Sequence, residues 1–242
     1  MRHQRFTYGD IILDTVSIRP TDMLSDVGIC IGSVPTHARR FTRIDLDCSD
    51  FEHAAQLAQR GYFFADRRID VRIDTRHTPA LNLKERCELR MCDMSEIDKG
   101  AIEQIALESF VIDSRFNFIP TSVAPTTKAV LSLYLSSLIS QGAQCILCYH
   151  KATLVGFMIT QVSGNRLDIR LAAVRAVYRP SGAGIDMYAA AVEQSRAHDL
   201  TSIHGLISSS NTAVMNIYSA FGGRFIHAQD WFFAREGIDH EW

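Results

Sequence analysis

Between Gln144 and Val177 three strand-like segments follow one another with almost no chain to spare. Gln144–Tyr149, Leu154–Val162 and Leu167–Val177 are rich in apolar and β-branched residues, and only His150-Lys151-Ala152-Thr153 and Ser163-Gly164-Asn165 separate them. Links this short join antiparallel neighbours, because a parallel return needs a crossover of a dozen or more residues. An antiparallel meander is therefore expected. Its last strand runs into Arg179-Pro180-Ser181-Gly182-Ala183-Gly184, a turn that opens an apolar helix through about Arg196. The turn lacks the Gly-Lys-Ser/Thr ending of an NTPase loop and the third glycine of a Rossmann fingerprint, so both nucleotide folds are disfavoured.

Around this block the pattern continues. Upstream, Glu88–Cys92 reads as a strand, Ser95 as the cap of a helix through about Ser109, and Pro125 as the start of a second helix that stops before Gly142. Downstream come a strand over Ile203–Ser208, a helix over Asn211–Ala220 stopped by Gly222-Gly223, and a final hairpin or single strand over Phe225–Ala234. Phe51–Arg60 is expected as a helix ended by Gly61, and Tyr62–Asp74 alternates as a half-buried strand. The alternation is lost over Thr75–Lys84, which contains a proline and reads as a linker. Two domains follow from this, a small α/β one over 1–80 and a larger one over 86–242. No internal repeat is visible.

Composition narrows the class. With 242 residues, 47% apolar and 21% charged, the chain has enough material for a full core. A formal charge of −2 supplies no broad positive field, so nucleic acid and anionic membrane are not expected as partners. No apolar signal core follows Met1–Asp10, the run Ala129–Ile139 is broken by serines, and a cytoplasmic protein is expected. The six cysteines are too dispersed for a disulfide scaffold. Cys145 and Cys148 form a Cys-x-x-Cys, but inside a strand pattern, where core packing is the better reading than redox or metal chemistry. The nine histidines show no ligand spacing, so no metal is expected. Gly28-Ile29-Cys30-Ile31-Gly32 mimics a nucleophile elbow, but no convincing helix follows it.

The turn at 179–185 carries the chemistry. A glycine turn at a helix N-terminus presents unpaired N–H groups and the positive end of the helix dipole, which suits a diphosphate. Gly182 and Gly184 let the backbone approach closely, Arg179 adds charge, and Ser181, Ala183 and Ile185 complete the turn. Close helix–sheet packing would also account for the glycines. Pro180 removes one N–H donor. In the later helix Asn211 and Tyr218 lie seven residues apart and share a face. Asn211 also suits a helix N-cap, and Tyr218 also suits packing on a sheet.

These elements, in this order, resemble the GNAT acetyltransferase family, through Ala172-Ala173-Val174-Arg175-Ala176-Val177-Tyr178-Arg179-Pro180-Ser181-Gly182-Ala183-Gly184-Ile185 and through Asn211 to Tyr218 with Phe221-Gly222. Ala176 stands where the family often has proline, and Pro180 where it often has glycine. The resemblance covers roughly Glu88–Trp242 and implies a mostly antiparallel mixed sheet flanked by helices, an α/β (α+β) fold preceded here by the small N-terminal domain. It implies acetyl-coenzyme A as cosubstrate and direct attack by an acceptor amine in a ternary complex. It gives Ala172, Ala173 and Val174 to the acyl carbonyl, Arg179 and Ser181 to Ile185 to the diphosphate, Asn211 to the pantetheine arm, and Tyr218 to the departing thiolate.

Within the family the likeness is greatest to the dTDP-fucosamine acetyltransferase type, through Leu57–Ile73, Ser114-Arg115-Phe116, Tyr134 and Asn211–Phe233. That implies a nucleotide-linked aminosugar as acceptor, with Arg115 and Phe116 as its contacts. The acidic residue expected after that segment is missing from Asn117–Pro125. Another amine (an amino acid, an antibiotic, a protein terminus) and a non-catalytic acyl-coenzyme A-binding module stay open as alternatives. Asp168 is a candidate base, with a surface carboxylate or a water chain as alternatives, and a homodimer through edge strands or apolar helix faces is compatible with the pattern.

Overall fold

The computed structural model describes residues 1–8, 11–19, 21–23, 39–79, 86–109 and 124–234. The chain divides into two compact units. One is made of Met1–Ile69, Ser208–Ser210 and His227–Trp242; the other of Asp70–Ile207 and Asn211–Ile226.

The first unit contains β1 (Arg2–Tyr8), β2 (Ile11–Ile18), β3 (Arg39–Asp47), α1 (Phe51–Gln59), the start of β4 (Tyr62–Asp74) and most of β10 (Arg224–Ala234). β1 and β2 are antiparallel, β2 and β3 parallel, and β10 runs antiparallel to β3 from Asp47↔Gln229 to Arg43↔Phe233. Helix α1 starts where the Asp50 carboxylate accepts the His53 N–H at 3.2 Å, satisfying an amide that the helix itself cannot pair. It ends before Gly61, whose φ of 83° lies in the region that costs glycine least. Its buried His53 and Leu57, one turn apart, face inward, and Leu57 joins Val16, Ile18, Ile44, Leu46, Tyr62 and Phe232 in one core.

The second unit orders its strands β4-β9-β8-β7-β6-β5, with β5 over Glu88–Asp93, β6 over Gln144–His150, β7 over Thr153–Ser163, β8 over Arg166–Val174 and β9 over Ser202–Ser208. β6 to β8 form the expected antiparallel meander, β5 adds to β6 antiparallel at its edge, and β8 pairs with β9 in parallel. The β6–β7 turn places Lys151 and Ala152 at φ 48° and 63°, two successive left-handed residues as a tight hairpin turn demands. Helices α2 (Lys99–Ser109), α3 (Ala124–Ser140), α4 (Ala183–Ala197) and α5 (Thr212–Ala220) flank this sheet. The Lys99 ammonium ties α2 to α3 by donating to Ser132 and Ser136 Oγ, each at 2.8 Å. The mixed α/β class and the mostly antiparallel sheet are those expected.

Two local expectations are corrected. Ser95 falls in a short 3-10 turn, and the first amides of α2 are met instead by Asp98, whose Oδ1 accepts Gly100 N–H at 2.9 Å. β8 ends at Val174 rather than Val177: after the Arg175 N–H bonds Val155 O at 2.8 Å, the chain winds into a 3-10 helix over Ala176–Ser181. Of the two forms expected for the last segment, the single strand is the one found, as β10. Cys145 and Cys148, three apart on β6, point to opposite faces and therefore cannot bond to each other; burial holds both thiols well above their ordinary pKa. No described helix is long and apolar enough to cross a membrane.

Candidate active site

The parallel ladder between β8 and β9 is short. It runs from Arg166↔Ser202 to Ile169↔Gly205 and stops, although β8 continues to Val174 and β9 to Ser208. On its other edge β8 stays paired to β7 up to Gly156↔Val174. The sheet thus opens on the β9 side of Ala172, Ala173 and Val174, where main-chain polar groups turn toward something other than a neighbouring strand.

Gly205 stands at the point where the ladder stops, and it is glycine for a steric reason. A Cβ there would lie 1.9 Å from the Tyr218 hydroxyl oxygen and 2.9 Å from its Cζ. The phenol of α5 therefore rests directly on the β9 backbone at the mouth of the opening. Its ring is 1% exposed and meets the Tyr188 ring of α4 edge-on, with centroids 4.9 Å apart. A side-chain hydrogen bond links the Tyr188 and Tyr218 hydroxyls, raising the pKa of Tyr188 and lowering that of Tyr218. Burial pushes the Tyr218 hydroxyl up to about 12, and this outweighs the opposing effect of that hydrogen bond, so the group is protonated throughout the neutral range. Tyr188 and Gly205 were not singled out from the sequence; their roles depend on a contact between elements far apart in the chain.

The glycine turn lies at the other end of the open part of β8. Ala176–Ser181 is the 3-10 helix, with Pro180 inside it, and Gly182 follows at φ 88° before α4 begins at Ala183. The Ser181 hydroxyl donates to Tyr178 O at 2.6 Å and accepts from Ala183 N–H at 3.3 Å, locking the entry to the helix. Arg179 turns toward main chain, donating to Val174 O at 3.3 Å and Ser109 O at 3.4 Å. The guanidinium that lies on the turn belongs to Arg86, a residue no sequence motif marked. Its Nη1 sits 1.9 Å from where a Gly182 Cβ would be, and its own main-chain N–H donates to Asp186 Oδ2 at 3.3 Å. Gly184 serves packing: a Cβ on it would approach Ile217 Cδ1 at 3.2 Å, so its absence lets α4 and α5 close on each other. Ile217 precedes Tyr218, and the same helix contact brings the start of α4 and the phenol to one side of the unit.

Asn211 is the N-cap of α5, its Oδ1 accepting Val214 N–H at 3.2 Å. Asp168 lies in the paired half of β8, opposite His204, in an ion pair with Arg166 at 3.0 Å, and so away from the opening. Tyr134 of α3 donates to Arg170 O at 3.4 Å, on the first residue of β8 beyond the ladder. Arg115, Phe116 and the Gly28–Gly32 segment lie outside the described residues. Among the described residues there is no group of three or more His, Cys, Asp and Glu side chains suited to a metal.

No family profile and no curated protein matches the chain. Solved structures do. A functionally unknown conserved protein from Staphylococcus epidermidis superposes with a TM-score of 0.66 at 12% identity, over 93% of this chain and 84% of its own. A GCN5-related N-acetyltransferase from Sphaerobacter thermophilus gives 0.63 at 15% identity, over 98% and 78%, and one from Kribbella flavida 0.58 at 12%, over 97% and 90%. At such identities the likeness is one of architecture, and it establishes that the chain has the fold of the GCN5-related N-acetyltransferases.

Proposed function

We propose that this protein is an acyl-coenzyme A-dependent N-acyltransferase that acetylates a small amine, with a nucleotide-linked aminosugar as the first acceptor class to test. The observation that carries the reading is the opening of the β8–β9 ladder at Gly205 with the Tyr218 hydroxyl seated on it. The left-handed Gly182 turn beginning α4 on the same side supports it. The aminosugar rests on the sequence resemblance alone.

Acetyl-coenzyme A supplies a thioester, and the residues here suit it. The first-turn amides of α4, its positive dipole end and the Arg86 guanidinium favour a diphosphate. Those main-chain N–H groups of Ala172–Val174 that face the open side would hold the thioester carbonyl as it gains negative charge, an arrangement most effective where water is excluded. The amine attacks that carbonyl, the C–S bond breaks, and the amine proton leaves to water or a base. Tyr218 hydrogen-bonds the departing sulfur. Its hydroxyl, at about 12, is a weaker acid than a thiol of ordinary pKa of about 8.5. Full transfer of its proton to the thiolate would thus run uphill by roughly 5 kcal/mol, so it stabilises the sulfur as a donor and keeps its proton.

The test is release of free thiol from acetyl-coenzyme A with dTDP- and UDP-linked aminosugars, amino acids, aminoglycosides and peptides, the product mass being read for one added acetyl group. Thiol release with a sugar-linked amine supports the whole reading; release with another amine keeps the transferase and replaces the acceptor. Binding of acetyl-coenzyme A without transfer to any amine would favour a binding module, and absence of binding would remove the reading altogether.

A further inference from the structure

The chain contains the same piece of architecture twice, each copy having its helix in one unit. In the first copy, β3 leads through Asp50 into a nine-residue helix, Phe51–Gln59, then Gly61 and β4; in the second copy, β9 leads through Asn211 into a nine-residue helix, Thr212–Ala220, then Gly222 and β10. The agreement extends to atoms. The N-caps have φ/ψ of −85°/71° and −87°/69°, and each accepts the amide three residues on at 3.2 Å. The C-caps Arg60 and Phe221 have −85°/9° and −87°/11°, and the glycines that follow have φ 83° and 72°. Before the helices, Ser49 N–H bonds the Asp47 side chain at 2.9 Å and Ser210 N–H bonds the Ser208 side chain at 3.2 Å.

A tight strand–helix–strand turn recurs in many proteins, but here the flanking sheets match as well. β1 and β2 are antiparallel with β2 parallel to β3, just as β7 and β8 are antiparallel with β8 parallel to β9. With Ile44 set on Gly205, the row His3–Val16–Ile44 falls on Thr160–Ile169–Gly205; beyond it the β2–β3 ladder runs on to Ile18↔Leu46, whereas the β8–β9 ladder ends. Between Phe41–Ile73 and Ser202–Ala234 the only identities are Ser49/Ser210, Gly61/Gly222 and Phe64/Phe225, so the repeat is invisible in the sequence.

In this alignment Ile44 falls on Gly205 and Leu57 on Tyr218. Both members of the pair that forms the mouth of the candidate site are exchanged together: where the second unit sets a phenol against a missing Cβ, the first sets Leu57 and Ile44 in one fully buried apolar core. The side-chain heavy atoms balance, none and eight in one pair against four and four in the other. We infer that the first unit is a second, degenerate copy of the acyl-transfer half of the fold, kept as a scaffold and silent in the reaction because Leu57 and Ile44 fill the place of the phenol and its seat. The silence rests on the acyl-transfer reading; the repeat does not.

Two thermal-unfolding cycles test it, each with a measurement of acetyl-coenzyme A stoichiometry by titration calorimetry. In the first unit Ile44→Gly leaves a void and Leu57→Tyr overfills; in the second Gly205→Ile strikes the phenol and Tyr218→Leu leaves a void. Each single variant is expected to lower Tm by about 6–12 °C, and the doubles I44G/L57Y and G205I/Y218L to recover at least half of the summed loss. Where a single variant does not fold, Ile44→Ala and Gly205→Ala give the same comparison. The intact chain is expected to take up one acetyl-coenzyme A, and I44G/L57Y to keep parental turnover. Additive losses in either pair, or a second molecule bound with like affinity, would overturn the inference. If the intact chain binds none, the acyl-transfer reading falls while the thermal cycles still decide the repeat.

Discussion

Replacing Tyr218 by Phe removes one oxygen from a site whose surroundings are fully specified. The hydroxyl lies on the Gly205 backbone and shares a hydrogen bond with Tyr188, itself only 4% exposed. For stability, the loss of a net hydrogen bond and the stranding of the buried Tyr188 hydroxyl together cost about 2 kcal/mol. That corresponds to a fall in Tm of roughly 4–8 °C for a chain of this size. The double change Y188F/Y218F removes both polar atoms and should recover most of it. For catalysis, a donor aimed at a developing thiolate is worth about 10²-fold, the low end for general acid–base groups, because a thiolate already leaves well. Turnover should therefore drop about 10²-fold, equivalent to about 2.7 kcal/mol, while the dissociation constant for acetyl-coenzyme A stays within about twofold, since the sulfur gains charge only as the bond breaks. With the hydroxyl at about 12, no limb of the wild-type pH–rate profile below pH about 10 should belong to Tyr218. Steady-state kinetics from pH 6 to 10, alongside calorimetric binding, make the measurement. Unchanged turnover in the folded variant would refute the role assigned to this phenol.

Other consequences follow from the same geometry. Arg86→Ala should raise KM for acetyl-coenzyme A about tenfold, through loss of one charge-assisted contact, yet leave turnover of S-acetylpantetheine, which has no diphosphate, unaltered; equal losses on both substrates would place Arg86 outside phosphate binding. Gly182→Ala meets both the φ of 88° and the Arg86 guanidinium, so it should cost about 1–2 kcal/mol of stability and weaken acetyl-coenzyme A binding more than Gly184→Ala does, as read by urea unfolding and calorimetry. Gly184→Ala presses only on Ile217 Cδ1, so Ile217→Val should relieve it; no relief would show that the α4–α5 contact is not the reason for that glycine. Burial raises the Cys145 and Cys148 thiols, keeping the thiolate fraction negligible at pH 8, so both should resist maleimide in the folded protein and react in urea; fast labelling of either in the native state would contradict their place in the core.

Much of the second unit is legible in the sequence. The meander, the turn at 179–185 and the two following helices are written in local signals, with short polar links, Gly182 at a left-handed position and Asn211 at an N-cap. The errors are local as well. Ser95 and Asp98 are both good caps three residues apart, and only packing decides between them. Ala176 and Val177 have strand propensity, but they lie where the chain leaves the sheet and coils toward α4. Arg179 looked like the charge of the turn because it lies within the motif, whereas Arg86, distant in sequence, reaches Gly182 because β5 starts beside it.

What sequence alone determined is the order and kind of most elements from Phe51 onward, and none of β1 to β3 before it, since capping, turn geometry and apolar period act between residues a few positions apart. What only the tertiary structure decided is which of them meet: the ladder that ends at Gly205, the phenol that occupies the absent Cβ, and the second copy in which Ile44 and Leu57 take those places. Side-chain volume is conserved across a contact, not along a chain, so a pair exchanged together leaves no trace in either segment read by itself.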